Sequence, residues 1–254
     1  MLNLNLTGKI ALITGASSGI GEHLARTLSE QGCKVAIAAR RMDRLEAIQN
    51  SLEKKGFDAI SVSMNVADRA SVRAALNTIE ARFGVVEILV NNAGLAGVHG
   101  FLNAPSDETA QVFAVNQTAV WDVAQEVCQR LIKAERPGSI INISSITGLR
   151  PVGGASSYAV SKAAVAHMTK IQALELARYD IRVNAIAPGY FLTELTDDFL
   201  KSAAGDKLKK RIPMKRIGTL HELDGPILLL ASDAGSFMTG TVIPVDGGHL
   251  LSSL

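Results

Sequence analysis

Cysteine is scarce in this 254-residue chain: only Cys33 and Cys128 occur. Their spacing suits neither a metal site nor a disulfide framework, so both read as inert packing thiols of a reducing compartment. Aromatic residues make up 4% of the chain, and no stretch interleaves them with basic ones. With finger-type spacing also missing, a nucleic-acid surface is excluded. Neither sign of charge dominates, the formal net charge being +2. The densest basic stretch, KLKKRIPMK from Lys207 to Lys215, reads as a solvated helix face. No uninterrupted apolar run approaches the ~20 residues of a membrane span. The opening MLNLNLTGK has neither the charged nor the apolar region of a secretory leader. No repeat and no Pro-, Gly- or Ser-rich linker divides the chain. The expectation is one domain over residues 1–254, cytoplasmic, with no metal, no membrane and no nucleic-acid partner.

What is present is apolar: 47% of the residues, enough for a sizeable core. Short runs rich in Val and Ile recur at 10–13, 35–39, 59–62, 87–91, 139–143, 181–187 and 241–245. Each is apolar at successive positions, as a strand covered on both faces must be. Amphipathic stretches alternate with them, at 20–31, 43–55, 69–82, 107–135, 155–179 and about 220–231. The last opens on Thr219-Leu220-His221-Glu222, the spacing of a capping box, and Pro226 should kink or shorten it. Alternating β and α elements predict an α/β fold with a doubly wound, parallel, seven-stranded sheet and helices on both faces.

Two stretches carry chemistry. After the first strand comes Thr14-Gly15-Ala16-Ser17-Ser18-Gly19-Ile20-Gly21, leading into a helix. Glycines at 15, 19 and 21 permit a sharp turn and close backbone approach to a pyrophosphate. The helix end then offers unpaired N–H groups and positive dipole. The second stretch is Ser157-Tyr158-Ala159-Val160-Ser161-Lys162. Tyr158 and Lys162 stand at i and i+4, on one helix face. A phenol ordinarily has a pKa of about 10, and a neighbouring ammonium would lower it.

TGASSGIG, NNAG at 91–94, the Ser145/Tyr158/Lys162 set and Pro188-Gly189 together resemble the short-chain dehydrogenase/reductase family, over essentially the whole chain. The resemblance is to its NADP-type ketoreductases, including 3-oxoacyl-carrier-protein reductases. It implies a Rossmann-like fold and hydride transfer from a nicotinamide cofactor to a carbonyl. Tyr158 would be general acid in reduction, and Lys162 would lower its pKa and bind the nicotinamide ribose. Ser145, chosen over the adjacent Ser144 by the family's spacing, would hold the substrate oxygen. Asn116 would be the fourth catalytic member, anchoring a water.

The same resemblance puts the residue that selects between NAD and NADP at Ala39. No carboxylate stands there, and Arg40 and Arg41 follow. Guanidiniums suit bidentate phosphate contact, so NADP(H) is expected over NAD(H), with Arg40 the first choice and Arg41 the second. Ser17 and Ser18 could add donors. Asn65-Val66 stands where relatives have Asp-Val beside the adenine. Asn92, Ala93 and Gly94 would run along the cofactor, while Asn91 suits a structural role equally well. Pro188 and Gly189 make a sharp turn, and Thr193 matches the position that bonds the nicotinamide carboxamide. The charged, Gly-containing stretch 194–216 reads as a lid. The expected pocket lining is Leu95, Val98, Ile146, Val152, Tyr190 and Leu195, beside Ser145.

The function expected is NADPH-dependent reduction of a ketone, possibly β-ketoacyl, to a secondary alcohol. Arg136 matches one basic position of carrier-protein reductases, but Tyr179, next to Arg178, fills the other, which leaves a carrier-bound substrate open. An oxidative alcohol or polyol dehydrogenase and a non-catalytic nucleotide-binding regulator are the rival readings. Relatives are usually homotetramers built on segments matching 107–135, 155–179 and 244–248.

Overall fold

The computed structural model describes residues 4–193, 196 and 200–252. Seven strands form one parallel sheet in the order β3-β2-β1-β4-β5-β6-β7. The strands are β1 (Ile10–Thr14), β2 (Lys34–Ala39), β3 (Ala59–Ser63), β4 (Ile88–Asn91), β5 (Gly138–Ile143), β6 (Ile181–Pro188) and β7 (Val242–Val245). The helices are α1 (Gly19–Glu30), α2 (Met42–Glu53), α3 (Arg69–Arg82), α4 (Ser106–Phe113), α5 (Ala119–Lys133), α6 (Ser156–Leu176), α7 (Ala203–Arg211) and α8 (Asp224–Ala231).

The all-apolar strand pattern follows from two cores, one on each face. Ala11 and Ile13 of β1 pack with Val35 and Ile37 against α1, α2 and α8. Their neighbours Ile10 and Leu12 pack with Ala36 and Ala38 against α3 and α5. Successive side chains of a strand point to opposite faces, so a strand roofed on both sides is mostly apolar, and any polar residue in it must find a hydrogen-bond partner.

The structure adds detail to the sequence expectations in four places. Glu87 precedes β4 rather than joining it; its buried carboxylate accepts from Lys9 and Arg136 at 2.9 and 2.7 Å. The helix in 220–231 is shorter than the expected span. A capping-box turn, Leu220–Leu223, is followed by α8, and Pro226 falls in the first turn of α8, where no N–H is needed. The long helix expected over 107–135 contains a π turn at Ala114–Thr118 between α4 and α5. Within the described part of the expected lid, Ala203–Arg211 is helical, with Gly205 buried at its start and Ser202 accepting from Gly205 N. Among the described residues no helix is long and apolar enough to cross a membrane. Both cysteines are buried, which pushes their thiols up to about 12 and makes them poor nucleophiles.

One polar seam runs through the core. Asn91 and Asn142 face each other across β4 and β5, and Asn91 Nδ2 donates to Asn142 Oδ1 at 3.0 Å. Asn142 Nδ2 donates onward to Thr169 Oγ1 of α6 at 3.0 Å. Asn142 and Thr169 are fully buried, so each group depends on the others for its hydrogen bonds. Asn142 therefore holds the sheet to α6, with Asn91 bonded to it from β4. Asn142→Ala is expected to cost about 1–3 kcal/mol, lowering Tm by roughly 2–4 °C per kcal/mol. Thermal unfolding checks this, and an unchanged Tm would show that the seam is energetically idle.

Candidate active site

The strand order reverses direction beside β1: the chain runs outward to β2 and β3, then returns to β4 on the other side. In an open parallel sheet, the strand ends at such a point leave a crevice. Here a cavity of about 460 Å³ occupies it.

Thr14, at the end of β1, stitches the crevice walls together. Its Oγ1 accepts from the backbone N–H of both Asn92 and Ala93, at 3.0 and 3.1 Å. Asn92 answers by donating from Nδ2 to the carbonyls of Thr14 and Gly15 at 3.0 and 3.2 Å. This close approach explains two glycines. A Cβ at Gly15 would lie 2.7 Å from Ala93 Cα, and one at Gly21 would lie 2.4 Å from Asn92 Nδ2. Gly15, Ser17, Ser18, Gly19 and Ile20 line the cavity, and Gly21 braces the loop from behind. Thr14 is absent from the sequence expectation; its signal was the threonine opening TGASSGIG.

At one end lie Ala39, Arg40, Arg41, Asn65 and Val66. The two arginines differ. Arg41 folds back on the glycine loop, donating from Nη2 to Ser17 Oγ at 2.8 Å and to Ser18 Oγ at 3.0 Å. Arg40 also lines the cavity but makes no such contact. Both arginines expected from the sequence line the cavity, and Arg41 is the guanidinium held by the glycine loop. Asn65 Oδ1 accepts from Ala67 N at 3.2 Å, so its acceptor is partly committed to its own turn.

At the other end lie Ser144, Ser145, Tyr158 and Lys162. Ser144 Oγ donates to the Lys162 carbonyl at 2.9 Å and so ties β5 to α6. Ser145 Oγ instead accepts from the backbone and hydroxyl of Thr147 and also favours the Tyr158 phenolate. Of the two serines, Ser145 is the one aimed at the tyrosine. Lys162 is buried, and its Nζ donates to Ile143 O at 2.8 Å, 5.7 Å from the Tyr158 ring centre. Asn116 sits in the π turn, fully buried. Its Oδ1 accepts from Leu95 N at 2.7 Å, and its Nδ2 donates to Leu95 O and Ser161 Oγ. The side chain is thus spent on shaping the loop after β4. An extra residue in a helix turn, re-aiming one side chain, is a recurring device at functional sites.

The expected lowering of the Tyr158 pKa is not found in the protein by itself. Burial is the largest influence and raises it; Ser145 lowers it, and Tyr190 raises it. Lys162 is pushed down to about 8 by burial alone. Lys162 is not among the groups that shift Tyr158, its Nζ being directed to Ile143 O.

The substrate-side residues are dispersed. Leu95 and Ser145 line the cavity, as do Pro188, Gly189, Gly94 and Thr193. Val98 is 73% exposed and Val152 40%, while Ile146 is buried at 6%. None of these three lines the cavity, and neither does Tyr190, which packs on His249 with ring centres 5.6 Å apart. Leu195 lies outside the described residues. Phe191 and Thr196 line the cavity and were not expected. Thr196 Oγ1 donates to Phe191 O and lies 3.1 Å from Thr193 Oγ1, folding this loop toward Gly19.

A family profile described as enoyl-(acyl carrier protein) reductase matches residues 15–249. The chain belongs to the short-chain dehydrogenase/reductase family. Among relatives of this dehydrogenase/reductase is a 5-keto-D-gluconate 5-reductase of Escherichia coli (strain K12), 39% identical over 249 residues and 98% of each chain. A 3-oxoacyl-acyl-carrier-protein reductase of Thermotoga maritima is 37% identical over 248 residues, 98% of this chain and 100% of that one. A solved gluconate 5-dehydrogenase from Burkholderia cenocepacia J2315, in complex with NADP and tartrate, superimposes with a TM-score of 0.95 at 38% identity, covering 99% of both chains. The protein is an NAD(P)-dependent oxidoreductase of this family.

The depressed Lys162 pKa has a sign that can be tested. Between about pH 8 and its ordinary 10.5 the folded protein holds fewer protons at this site than the unfolded chain. Stability from this group therefore rises with pH across that window, and the burial cost is full below about 8. In lysine-selective ¹³C NMR, one Cε resonance should titrate near pH 8 and vanish in Lys162→Met. Titration of every lysine above pH 10 would refute a desolvated ammonium.

Proposed function

We propose that the protein reduces the ketone of a small polar substrate to a secondary alcohol with NADPH. One observation carries this: among the described residues the cavity is lined by three cations, Arg40, Arg41 and Lys162, and by no carboxylate. Such a lining suits a ligand with several negative charges. The chain's own residues fit a dinucleotide phosphate. The glycine loop opens toward the start of α1, and Ser17, Ser18 and Arg41 form a connected donor cluster for a ribose phosphate. NADPH, when bound, supplies the hydride.

The residues at the other end divide the remaining work. Tyr158 holds its proton through neutral pH because burial raises its pKa, which suits a proton donor to the carbonyl oxygen. Ser145 donates a hydrogen bond to the same oxygen. Lys162, fixed by Ile143 O, faces the ring that becomes a phenolate once the proton has gone. Asn116 keeps Leu95 in place beside them. Within one protomer Arg136 stands at the amino-terminal edge of the sheet, paired with Glu87, away from the cavity. This favours a free small substrate over a carrier-bound one, as do the sugar-acid names of the relatives. Exposed apolar residues on α5 and α6, among them Trp121, Val160 and Leu174, support assembly into a homotetramer.

Tyr158→Phe is expected to lower kcat about 10²–10⁴-fold while the Kd for NADPH stays within about 2-fold. Turnover at the wild-type rate would refute the assignment. Arg41→Ala should weaken NADPH binding about 10-fold or more, as expected for a charged hydrogen bond, with NADH unaffected. Fluorescence titration with both nucleotides checks it.

A further inference from the structure

Beyond Tyr158, four segments late in the chain meet at a corner that the cofactor cavity does not include. Tyr190 follows the Pro188-Gly189 turn and stands close enough to Tyr158 to oppose its ionisation. His249 packs on Tyr190, the rings tilted by 37°. Its ring is buried at 6% exposure, and Nδ1 has no hydrogen-bond partner among the described residues. Arg150, from the turn after Ser145, clamps the C-terminal segment, donating from Nη1 to Leu250 O and Ser252 O at 3.1 and 2.9 Å. Arg211, the last residue of α7, is near enough to act electrostatically on both His249 and Tyr190. The chain just beyond it is pinned: Ile212 is buried, Met214 N donates to Gly247 O, and Pro213 rests on Gly248.

The charges at this corner do not cancel. Burial first, then Arg150 and Arg211, keep His249 neutral against the pull of Asp246. Arg211 likewise acts on Tyr190. The one carboxylate in this set is already committed: Asp246 Oδ1 accepts from Gly248 N and Oδ2 from Leu250 N, both at 2.8 Å. Arg211 is exposed, and its guanidinium makes no hydrogen bond or ion pair with any described residue. A planar fork of donors beside a buried, uncharged imidazole is complementary to a carboxylate.

We propose that Arg211, with the charge of Arg150 behind it, selects a carboxylate-bearing polyhydroxy ketone over neutral ketones. This deepens the reductase reading and rests on it. The hydride and proton still go to the ketone; the carboxylate is a remote handle that orients it. Arg211 is a specificity residue, and Arg150 positions the C-terminal segment beside it.

The test follows NADPH oxidation with 5-keto-D-gluconate, with L-sorbose, which carries a hydroxymethyl group in place of the carboxylate, and with the neutral ester ethyl acetoacetate. Arg211→Ala should lose about 10- to 100-fold in kcat/KM for the keto acid, mostly through KM, and change by less than about 2-fold for L-sorbose. Arg211→Lys should recover part of the loss. A variant that keeps the wild-type ratio of the two substrates overturns the proposal. Wild-type protein that reduces a neutral ketone but not the keto acid also overturns it, while the reductase reading stands. Wild-type protein that binds NADPH and reduces none of the three brings down both.

Discussion

The site depends on a single joint, the hydrogen-bonded seam between Thr14 at the end of β1 and Asn92 beyond β4. Four bonds cross it: two into Thr14 Oγ1 and two out of Asn92 Nδ2. They hold the first turn of the glycine loop against the backbone of Ala93. Once that distance is fixed, Gly15 and Gly21 have no room for a Cβ, and α1 must start where its free N–H groups face the crevice. The parallel sheet brings the two strand ends side by side; the seam makes them one surface. Everything that lines the crevice afterwards is positioned from it.

At the far end, burial sets the chemistry more than pairing does. Lys162 and Tyr158 share a helix face, yet the nearest partner of the ammonium is a backbone carbonyl of β5. Desolvation moves the lysine down and the tyrosine up, so both shifts oppose charge. In the mechanism proposed above, a donor that must stay protonated until a substrate arrives gains from this, and Lys162 stands 5.7 Å from the ring that would become a phenolate. Gly148, pressed to 2.5 Å from the Lys162 carbonyl carbon if given a Cβ, shows how closely the turn after Ser145 sits on α6. Serine, tyrosine and lysine converge because two backbones touch.

Features set by local spacing were legible in the sequence. The strands, the glycine loop and the i,i+4 pair of Tyr158 and Lys162 each need only a few neighbouring residues to be recognised, and the structure has them where they were expected. Features set by where an element ends were not. Arg40 and Arg41 look equivalent in sequence, but β2 stops at Ala39 and α2 starts at Met42, which swings Arg41 over Ser17. The π turn at Asn116 adds one residue to a helical repeat that periodicity read as continuous. Val98 and Val152 are apolar, so the sequence placed them in the pocket; they lie on surface loops, where hydrophobicity does not report direction. Arg136 matched a basic position by spacing alone, and Glu87 claims it at the other edge of the sheet.

The recognition groups at the cavity and at the corner beyond Tyr158 fall into two sets with separate origins. Arg40, Arg41 and the glycine loop belong to the first third of the chain and to the first strands of the sheet. Arg150, Arg211 and His249 belong to the turn after β5, the helix before α8 and the segment after β7. None of the second group lies in a strand, and none takes part in the seam. Of this set Arg211 alone is exposed and bonded to no described residue, whereas Arg150 clamps the C-terminal segment and His249 is buried. Relatives 37–39% identical to this chain carry names with substrates as different as a keto sugar acid and a carrier-bound acyl chain. On the reading proposed above, the sheet sets where the ketone sits and the late segments select what else the molecule around it carries.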